Sequence, residues 1–425
     1  MTIEELYNIF LRYPTVETDT RRIKKGSIFF ALKGPNFNGN DYVKKAFESG
    51  AHYCICDEKT DFIDTRIIYV MNVLATLQDL AKYHRMQFNI PFIAITGSNG
   101  KTTTKELIHE VLSTTYKCYT TKGNLNNHIG IPLTILSVKR DAEIAVIEMG
   151  ANHKKEIESY CIYAMPTHGL ITNCGKAHLE GFGGVEGVKE GKGELYDYIS
   201  KSKGTIFINN DYEYLLKMSL LIENKISYGT TNATYEGRVK DGGHLLQVEI
   251  TKGADILIIK TQLAGNYNLP NVMSAVCIGK YFNVEDEKIK IALEGYTPTN
   301  SRSQIIKKDS NTILLDAYNA NPSSMKAAIE NFAQMEGENK IVILGGMMEL
   351  GEESIKEHKT LIQMLSNYKW NKVVVTGKDF TALPSSILRF NDATEIAAWF
   401  KKQQFQNACI LIKGSRSMAM EKVLE

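Results

Sequence analysis

The sequence is poor in several features that would assign it to a special class. Its seven cysteines form no CxxC pair, which argues against a disulfide framework or a zinc site and favours reduced thiols. The 50 basic and 48 acidic residues leave a net charge of only +2, so a general electrostatic surface for nucleic acid is missing. No apolar run approaches the roughly 20 residues of a membrane span. We therefore expect a cytoplasmic protein that does not bind nucleic acid and does not insert into a membrane.

The 425 residues predict two to four domains at about 150 residues each. Short β-branched runs that are apolar on both faces alternate with amphipathic helices, a pattern typical of parallel sheets covered by helices on both faces. These runs are residues 90–96, 144–149, 169–172, 205–208, 341–344, 373–376 and 409–412. Residues 235–262 differ, since two strands around Asp241-Gly242-Gly243 predict an antiparallel ribbon. Breaks near 88–91 and 296–303 predict three α/β segments, 1–88, 89–297 and 298–425.

The strongest local motif follows the first buried run of the middle segment. There a glycine turn leads into a helix, so that backbone N–H groups and the helix N-terminus can bind phosphate. The lysine can neutralise terminal phosphates and the threonine after it can ligate Mg²⁺. The usual motif has glycine where this chain has Ile95, so the loop is a variant; a strand–turn–helix with a surface lysine is the alternative. The predicted phosphate-binding residues are Gly97, Ser98, Asn99, Gly100, Lys101, Thr102 and Thr103.

Carboxylate and imidazole side chains follow the next buried runs. Glu148 ends one run, and His178 comes shortly after another. Ligands of open α/β sheets bind at the carboxyl ends of strands, and both groups are reasonable partners for Mg²⁺. Taken alone, His178 is more often a surface or core histidine, and Lys192 a solvated lysine.

The stretch TGSNGKTTTKE resembles the nucleotide loop of the Mur ligase family and of the related folylpolyglutamate synthases. In the Mur ligase pattern His-Leu also follows a Thr-Asn strand end, which implies that Thr102, Glu148 and His178 hold metal. The resemblance further implies that a lysine carries CO₂ as a metal-binding carbamate. Lys192 is the assigned residue and Lys189 is the rival. Lys101, Glu148, His178 and Lys192 form the implied catalytic set.

Three other stretches of the middle segment and the following joint resemble Mur ligase motifs. Lys122–Pro132 contains Asn126 and Asn127, which resemble the amide-rich loop beside the phosphates and the acceptor carboxylate. Asn268 and Asn271 resemble the adenine-contacting amides, although Tyr267 stands where histidine is usual. Arg302 falls on the second joint, where family members place an arginine that reaches toward the nucleotide.

The two terminal segments carry the remaining candidate residues. In the first, a turn next to a short strand could hold a uridine diphosphate, with an N-capped turn as the alternative. These residues, which resemble the family's UDP-sugar site, are Thr18, Asp19, Thr20, Arg21, Ser27 and Lys33. In the last segment DAYNANP resembles the signature for adding D-alanyl-D-alanine, with Asp316 implied to contact ATP and the other polar residues to contact substrate. Those residues are Tyr318, Asn319, Asn321, Lys413 and Arg416, and Gly346 replaces a usual aspartate.

The resemblance covers essentially the whole chain and implies a three-domain ligase with a central P-loop-type ATP-binding sheet and a Rossmann-like C-terminal domain. Its implied cofactors are ATP, two Mg²⁺ ions and a carbamate on Lys192. Its implied partners are UDP-N-acetylmuramoyl-tripeptide and D-alanyl-D-alanine, joined through an acyl phosphate by a monomer. Three alternatives stay open: the tripeptide-forming ligase of the family, a folylpolyglutamate synthase, and a nucleotide-binding protein without ligase chemistry.

Overall fold

A computed structural model describes residues 1–240, 244–299 and 301–425. The chain forms three consecutive α/β units, as the sequence predicts. The predicted turn at 241–243 lies outside the described residues. Among the described residues, no helix is both long and apolar enough to cross a membrane.

The N-terminal unit is a small parallel sheet with helices beside it. Four strands pair in the order β1-β2-β5-β6, and β3 with β4 forms a separate antiparallel pair. The strands are β1 Val16–Glu17, β2 Ser27–Phe30, β3 Lys33–Gly34, β4 Phe37–Asn38, β5 Ala51–Cys56 and β6 Ile67–Tyr69; the helices are α1 Ile3–Arg12, α2 Val43–Glu48 and α3 Val73–Arg85. Helix α3 packs on α1, so it belongs to this unit's core.

The central unit is built on a nine-stranded sheet. Its strands are β7 Phe92–Thr96, β8 Cys118–Thr120, β9 Ile144–Glu148, β10 His168–Ile171, β11 Thr205–Asn209, β12 Asn224–Gly229, β13 Tyr235–Lys240, β14 Leu245–Lys252 and β15 Ile258–Ala264. Its helices are α4 Lys101–Ser113, α5 Gly130–Leu136, α6 Glu156–Ala164, α7 Leu179–Phe182, α8 Val185–Lys201, α9 Glu213–Met218, α10 Leu269–Tyr281 and α11 Asp286–Gly295. The order is β15-β14-β13-β12-β11-β10-β7-β9-β8, with β7 to β12 all parallel.

The predicted antiparallel ribbon is confirmed, but it has three strands where the sequence indicated two. β13, β14 and β15 pair antiparallel, and β13 also pairs parallel with β12. The ribbon therefore extends the edge of the central sheet. The extra strand is β15, which leads directly into the turn before α10.

The C-terminal unit is a six-stranded sheet in the order β16-β17-β21-β18-β19-β20, and only β16 is antiparallel to its neighbour. Its strands are β16 Gln304–Lys308, β17 Asn311–Asp316, β18 Asn339–Gly345, β19 Lys372–Thr376, β20 Ile387–Phe390 and β21 Ala408–Lys413; its helices are α12 Pro322–Gln334, α13 Ser354–Leu365 and α14 Ala393–Gln403. All seven apolar runs of the sequence are thus confirmed as parallel strands. Since parallel strands end at one edge, the polar residues that follow them lie on one side of each sheet.

Candidate active site

The predicted phosphate loop is the connection between β7 and α4. Gly97 and Gly100 have φ angles of 143° and 79°, a region that favours glycine. A Cβ atom at Gly97 would lie 2.0 Å from Thr172 Oγ1, and one at Gly100 would lie 2.7 Å from Asn271 Oδ1. Both glycines are therefore required by backbone conformation and by close approach.

A second strand end braces this loop. The backbone N–H of Ser98 donates to Asn173 O at 2.8 Å, and that of Asn99 donates to Asn173 Oδ1 at 3.1 Å. Thr172 Oγ1 donates to Asn99 O at 2.7 Å. Sequence reasoning noted the Thr-Asn pair at the end of this strand but did not include Asn173 among the site residues. Its position after a parallel strand was the available signal.

Lys101 begins α4 and reaches back along the loop. Its Nζ donates to Gly97 O at 2.6 Å and to Ser98 O at 3.1 Å. Burial lowers the pKa of Lys101, while the nearby Glu148 carboxylate acts in the opposite direction. The ammonium group thus lies at the turn of the loop, where the motif places the phosphates.

Glu148 lies at the end of β9 beside the start of α4. Thr102 Oγ1 donates to Glu148 Oε1 at 3.0 Å, and Asn126 Nδ2 donates to the same oxygen at 2.8 Å. The residue is 1% exposed, and its other oxygen, Oε2, has no hydrogen-bond partner. A carboxylate oxygen that is both buried and unpaired is costly unless a cation meets it, so this corner of the site fits Mg²⁺.

Lys192 lies on α8 and is 1% exposed. Its Nζ donates to Ala151 O at 2.9 Å and lies 4.8 Å from the centre of the Phe182 ring. Burial, with a smaller contribution from the charge of Lys101, lowers the pKa of Lys192 to about 7. The rival Lys189 pairs with Glu186 at 2.7 Å. The structure therefore favours Lys192 as the lysine with a neutral amine.

The two predicted adenine-contacting amides are engaged inside the protein. Thr104 Oγ1 donates to Asn271 Oδ1 at 3.0 Å, and Asn271 Nδ2 donates to Asn268 Oδ1 at 2.8 Å. Asn268 Nδ2 in turn donates to Ala264 O at 2.8 Å. This series of hydrogen bonds connects α10 to α4 beneath the phosphate loop. Contact with adenine stays a prediction.

In the C-terminal unit, Lys413 is paired within the protein, and its contact with substrate stays a prediction. Lys413 is 1% exposed, and its Nζ lies 2.6 Å from Asp316 Oδ2 and donates to Asn319 O at 3.1 Å. It therefore holds the loop after β17 in place.

Arg302 stacks on Tyr318, with Cζ 3.5 Å from the ring centre. Arg416 pairs with Glu421 at 2.8 Å and is largely exposed.

The C-terminal unit meets the central unit through polar side chains beside the phosphate loop. Asn321 Nδ2 donates to Asn99 Oδ1 at 2.7 Å, and the Lys176 N–H donates to Ser323 Oγ at 2.9 Å. Lys176 also pairs with Glu357 at 2.5 Å, and His178 Nδ1 contacts Glu349 Oε2 without the straight geometry of a hydrogen bond. We call this set the polar seam; it consists of Asn99, Lys176, His178, Asn321, Ser323, Glu349 and Glu357.

Comparison with known proteins follows the same three units. Family models match residues 12–85 (Mur ligase family, catalytic domain), 95–279 (Mur ligase middle domain) and 301–416 (Mur ligase, glutamate ligase domain). A UDP-N-acetylmuramoyl-tripeptide--D-alanyl-D-alanine ligase from Bacillus subtilis (strain 168) is 35% identical, covering 96% of this chain and 92% of that protein. The chain belongs to the Mur ligase family.

Two further Mur ligases support this membership. The enzyme of the same name from Escherichia coli (strain K12) is 32% identical, covering 99% of this chain and 95% of its own. The crystal structure of MurF ligase from Thermotoga maritima in complex with ADP has a TM-score of 0.87 and 27% identity, covering 97% of both chains. The predicted three-domain α/β fold is confirmed. The exact domain boundaries stay a prediction.

In this Mur ligase the predicted UDP-binding residues are held by local contacts. Asp19 Oδ1 accepts from the Arg21 N–H at 3.0 Å, and the Arg21 side chain pairs with Asp19 at 2.6 Å. Asp19 thus caps the short helix Thr20–Arg22, which is the capped-turn alternative. Lys33 pairs with Glu58 at 3.1 Å, while Ser27 Oγ accepts from the Lys24 N–H at 3.1 Å. A role in binding the nucleotide stays a prediction for all of these residues, including Thr18 and Thr20.

Both departures from the Mur ligase motifs are accommodated. Tyr267 OH lies 2.8 Å from Ser303 Oγ, which bonds the central unit to the joint before β16. A Cβ at Gly346 would have no atom nearer than 3.5 Å, so nothing in the structure requires glycine there.

Asn127 caps the start of α5, since its Oδ1 accepts from the Gly130 N–H at 2.9 Å. In the described ranges no three His, Cys, Asp or Glu side chains form a metal cluster. The candidate metal set instead mixes carboxylate, imidazole, hydroxyl and lysine groups.

Proposed function

We propose that this protein is an ATP-dependent ligase that adds D-alanyl-D-alanine to UDP-N-acetylmuramoyl-tripeptide, giving the pentapeptide precursor, ADP and phosphate. The observation that carries the proposal is the bond from Asn321 to Asn99. It places the loop that resembles the dipeptide-adding signature directly against the nucleotide loop. The names of two relatives, at 35% and 32% identity, support this substrate pair over the alternatives.

The chemistry is phosphoryl transfer followed by acyl transfer. A carboxylate oxygen of the tripeptide attacks the γ-phosphorus of ATP, forming a C–O–P linkage while the bond to ADP breaks. The neutral amine of the dipeptide then attacks the acyl carbon and a C–N bond forms. The acyl C–O bond to phosphate breaks as the carbonyl is restored, and the proton lost by the nitrogen goes to the departing phosphate. Lys101 and the N–H groups of the loop can stabilise charge on the transferring group. No protein nucleophile is needed.

The residues around Glu148 fit a divalent cation. Thr102, Glu148 and His178 would hold Mg²⁺, and its charge would neutralise the phosphates. The unpaired and buried Glu148 Oε2 supports this assignment. Asn126 donates to Oε1, so it orients the carboxylate and leaves Oε2 available.

Lys192 fits a carbamate. With a pKa of about 7, a substantial share of Lys192 is a neutral amine near neutral pH, and only a neutral amine adds CO₂. When formed, the carbamate would replace a buried cation by an anion that can ligate Mg²⁺. Carbon-13 NMR with labelled bicarbonate should show a carbamate signal in the native protein and in Lys189→Ala, but none in Lys192→Ala. A signal that survives Lys192→Ala would overturn the assignment.

The proposal is tested by phosphate release from ATP with the nucleotide tripeptide and D-alanyl-D-alanine, omitting each component in turn. Release should require all three, and mass spectrometry should find a product heavier by the dipeptide. Lys192→Ala should lower kcat by about 100-fold or more, because it removes a charged group from the reacting centre. Lys189→Ala, three residues earlier on the same helix, is the matched control and should retain activity.

The other outcomes identify the alternatives. Activity with a UDP-dipeptide and a single diamino acid would indicate the tripeptide-forming reaction, and activity with folate and glutamate would indicate the folate enzyme. ATP hydrolysis indifferent to every acceptor would indicate a non-ligase protein. A cytoplasmic location and a monomeric state are part of the proposal, since both nucleotide substrates are water-soluble and one chain carries all the matched units.

A further inference from the structure

We infer that Glu349 is a positioning residue that orients His178 as a metal ligand, so that the metal site is completed only when the C-terminal unit is docked. The inference rests on the proposed function and deepens it. Neither residue's partner could be deduced from the sequence, because 171 positions separate them and they belong to different units. The contact is part of the polar seam.

The first argument is the chemistry of the histidine ring. His178 Nδ1 faces the Glu349 carboxylate. A carboxylate at one ring nitrogen keeps the proton there and leaves the lone pair of the other nitrogen, Nε2, for a metal ion. Histidines that bind metals almost always have such an outer partner, which fixes both the tautomer and the ring orientation. Glu349 is the carboxylate beside His178 Nδ1, which is buried and makes no hydrogen bond to any other described residue, and it approaches from the opposite side of the seam.

The second argument is the backbone at both residues. His178 has φ 52° and Glu349 has φ 62°, so each adopts the left-handed conformation that non-glycine residues rarely take. His178 is the residue immediately before α7, and Glu349 lies in the loop after β18. Such backbone conformations persist where the surrounding structure maintains them and they often mark functional sites. Here they bring the two side chains together.

The third argument is the connection from His178 to the other candidate ligands. Helix α7, which begins directly after His178, ends at Phe182, and the Phe182 ring lies 4.8 Å from Lys192 Nζ. The Glu180 N–H also donates to Glu349 O at 3.4 Å, so backbone and side chain of Glu349 both fix this turn. A shift of Glu349 would therefore change the position of His178 and of α7, which contacts Lys192 through Phe182.

The seam offers a matched control, because Glu357 also pairs with a residue of the central unit. Glu357 contacts Lys176, which is not a candidate metal ligand. Glu357→Gln should weaken docking of the C-terminal unit without changing the histidine ring. If Glu349 acted only by holding the two units together, Glu349→Gln and Glu357→Gln would have the same effect on metal binding.

The test measures Mn²⁺ binding by electron paramagnetic resonance in the full-length protein with a non-hydrolysable ATP analogue. Wild type should show a nitrogen coupling from a coordinated imidazole, and His178→Ala should lack it. Glu349→Gln should weaken Mn²⁺ binding by about 10-fold or more and reduce the nitrogen coupling, with partial recovery in Glu349→Asp. Glu357→Gln should keep the nitrogen coupling close to wild type and lose clearly less Mn²⁺ affinity than Glu349→Gln.

Three results would overturn the inference: an unchanged coupling and affinity in Glu349→Gln, an equal loss in Glu357→Gln, or no imidazole coupling in wild type. Circular dichroism of each variant establishes that it is folded. The measurement needs neither peptide substrate nor turnover, so it remains informative if the proposed substrates are wrong. Conversely, the proposed ligase activity could be found while Glu349→Gln leaves the Mn²⁺ signal unchanged. That result would refute only this inference.

Discussion

The two boundaries between the three units are built differently. At the first, α3 packs on α5 and α6, and the buried Arg85 donates to Ala164 O, Met165 O and Phe88 O at 3.1, 3.0 and 2.9 Å. At the second, the contacts of the polar seam are made by side chains and by the Lys176 N–H, and the side chains of Lys176 and Glu349 are about half exposed. The first boundary therefore resembles a protein core, whereas the second resembles a transient interface.

This difference indicates which unit can move. A buried guanidinium that loses its carbonyl partners leaves unsatisfied polar groups on both sides, so separation at the first boundary is costly. Ion pairs with one exposed partner contribute little, about 0–1 kcal/mol each, because water can replace the partner. We therefore expect closure to occur at the seam, with the N-terminal and central units moving as one body.

The largest expected effect is at the first boundary. Arg85→Ala should lower the free energy of unfolding by about 3 kcal/mol, because three carbonyl groups lose a charged donor and the contact with the Phe92 ring is also removed. Urea denaturation measures this loss. Gln78→Ala is the matched control at the same boundary, since Gln78 donates to His128 O from an exposed position and should change stability by less than about 1 kcal/mol. Equal losses in both variants would contradict the comparison.

At the seam we expect loss of activity without loss of stability. Asn321→Asp keeps the acceptor that caps α12, where Ser324 N–H donates at 2.9 Å, but removes the donor to Asn99 Oδ1. One lost hydrogen bond of about 1.4 kcal/mol corresponds to about a 10-fold fall in kcat/KM. Steady-state kinetics and thermal unfolding should be measured together. A drop in stability with unchanged kinetics would show that this bond is only structural.

A smaller effect is expected from His84, which lies at the first boundary. Its Nε2 donates to Val138 O at 2.8 Å, and Nδ1 accepts from Tyr7 OH at 3.1 Å. Burial lowers the pKa of His84, and the charge of Arg140 acts in the same direction. Below the unfolded value of about 6.5 the unfolded chain binds a proton that the folded chain resists, so stability should fall as pH decreases.

His84→Gln should reduce this dependence, because an amide can replace both hydrogen bonds and does not titrate. The measurement is the difference in unfolding free energy between about pH 7 and pH 5 for both proteins. His168, whose pKa burial lowers to about 4, should leave a residual dependence in the variant. An unchanged slope in His84→Gln would mean that the first boundary does not sense pH.

The smallest expected effect is a response to salt. At about 1 M salt the screening length falls to roughly 3 Å, so the Lys176–Glu357 pair should weaken while the Arg85 contacts persist. Small-angle scattering should then show a slightly larger radius of gyration, consistent with loosening at the seam alone. The same increase in a protein carrying Glu357→Gln at low salt would support this cause. No change under either condition would place the flexible joint elsewhere.

The sequence could predict those parts of the site that depend on local order. The phosphate loop, the strand ends with Glu148 and Asp316, and the parallel core follow from periodicity and glycine placement along a short stretch of chain. Contacts between distant segments could not be predicted in this way. Lys413 could be interpreted only as a free cation, because its partner Asp316 lies 97 residues earlier and meets it across neighbouring strands.

The same limit explains Asn173 and the polar seam. The pairing of Asn173 with Ser98 and Asn99 depends on β10 lying beside β7, a strand order that one sequence does not reveal. The contacts of Asn321 and Glu349 depend on how two separately folded units dock. Side chains of the same type on a loop look alike in sequence, whether they cap a helix or reach another unit.

The placement of α3 also has a consequence for synthesis on the ribosome. Arg85 emerges 80 residues before Met165, its most distant carbonyl partner. Chain synthesis at roughly 5–20 residues per second takes on the order of 4–16 seconds to cover this distance. During that time the face of α3 that carries Arg85 is not yet covered by the central unit. This face of α3 therefore stays uncovered until synthesis of the central unit has passed Met165. The nascent chain should need protection over that interval, and a slow codon cluster before the α6 region would lengthen the exposure.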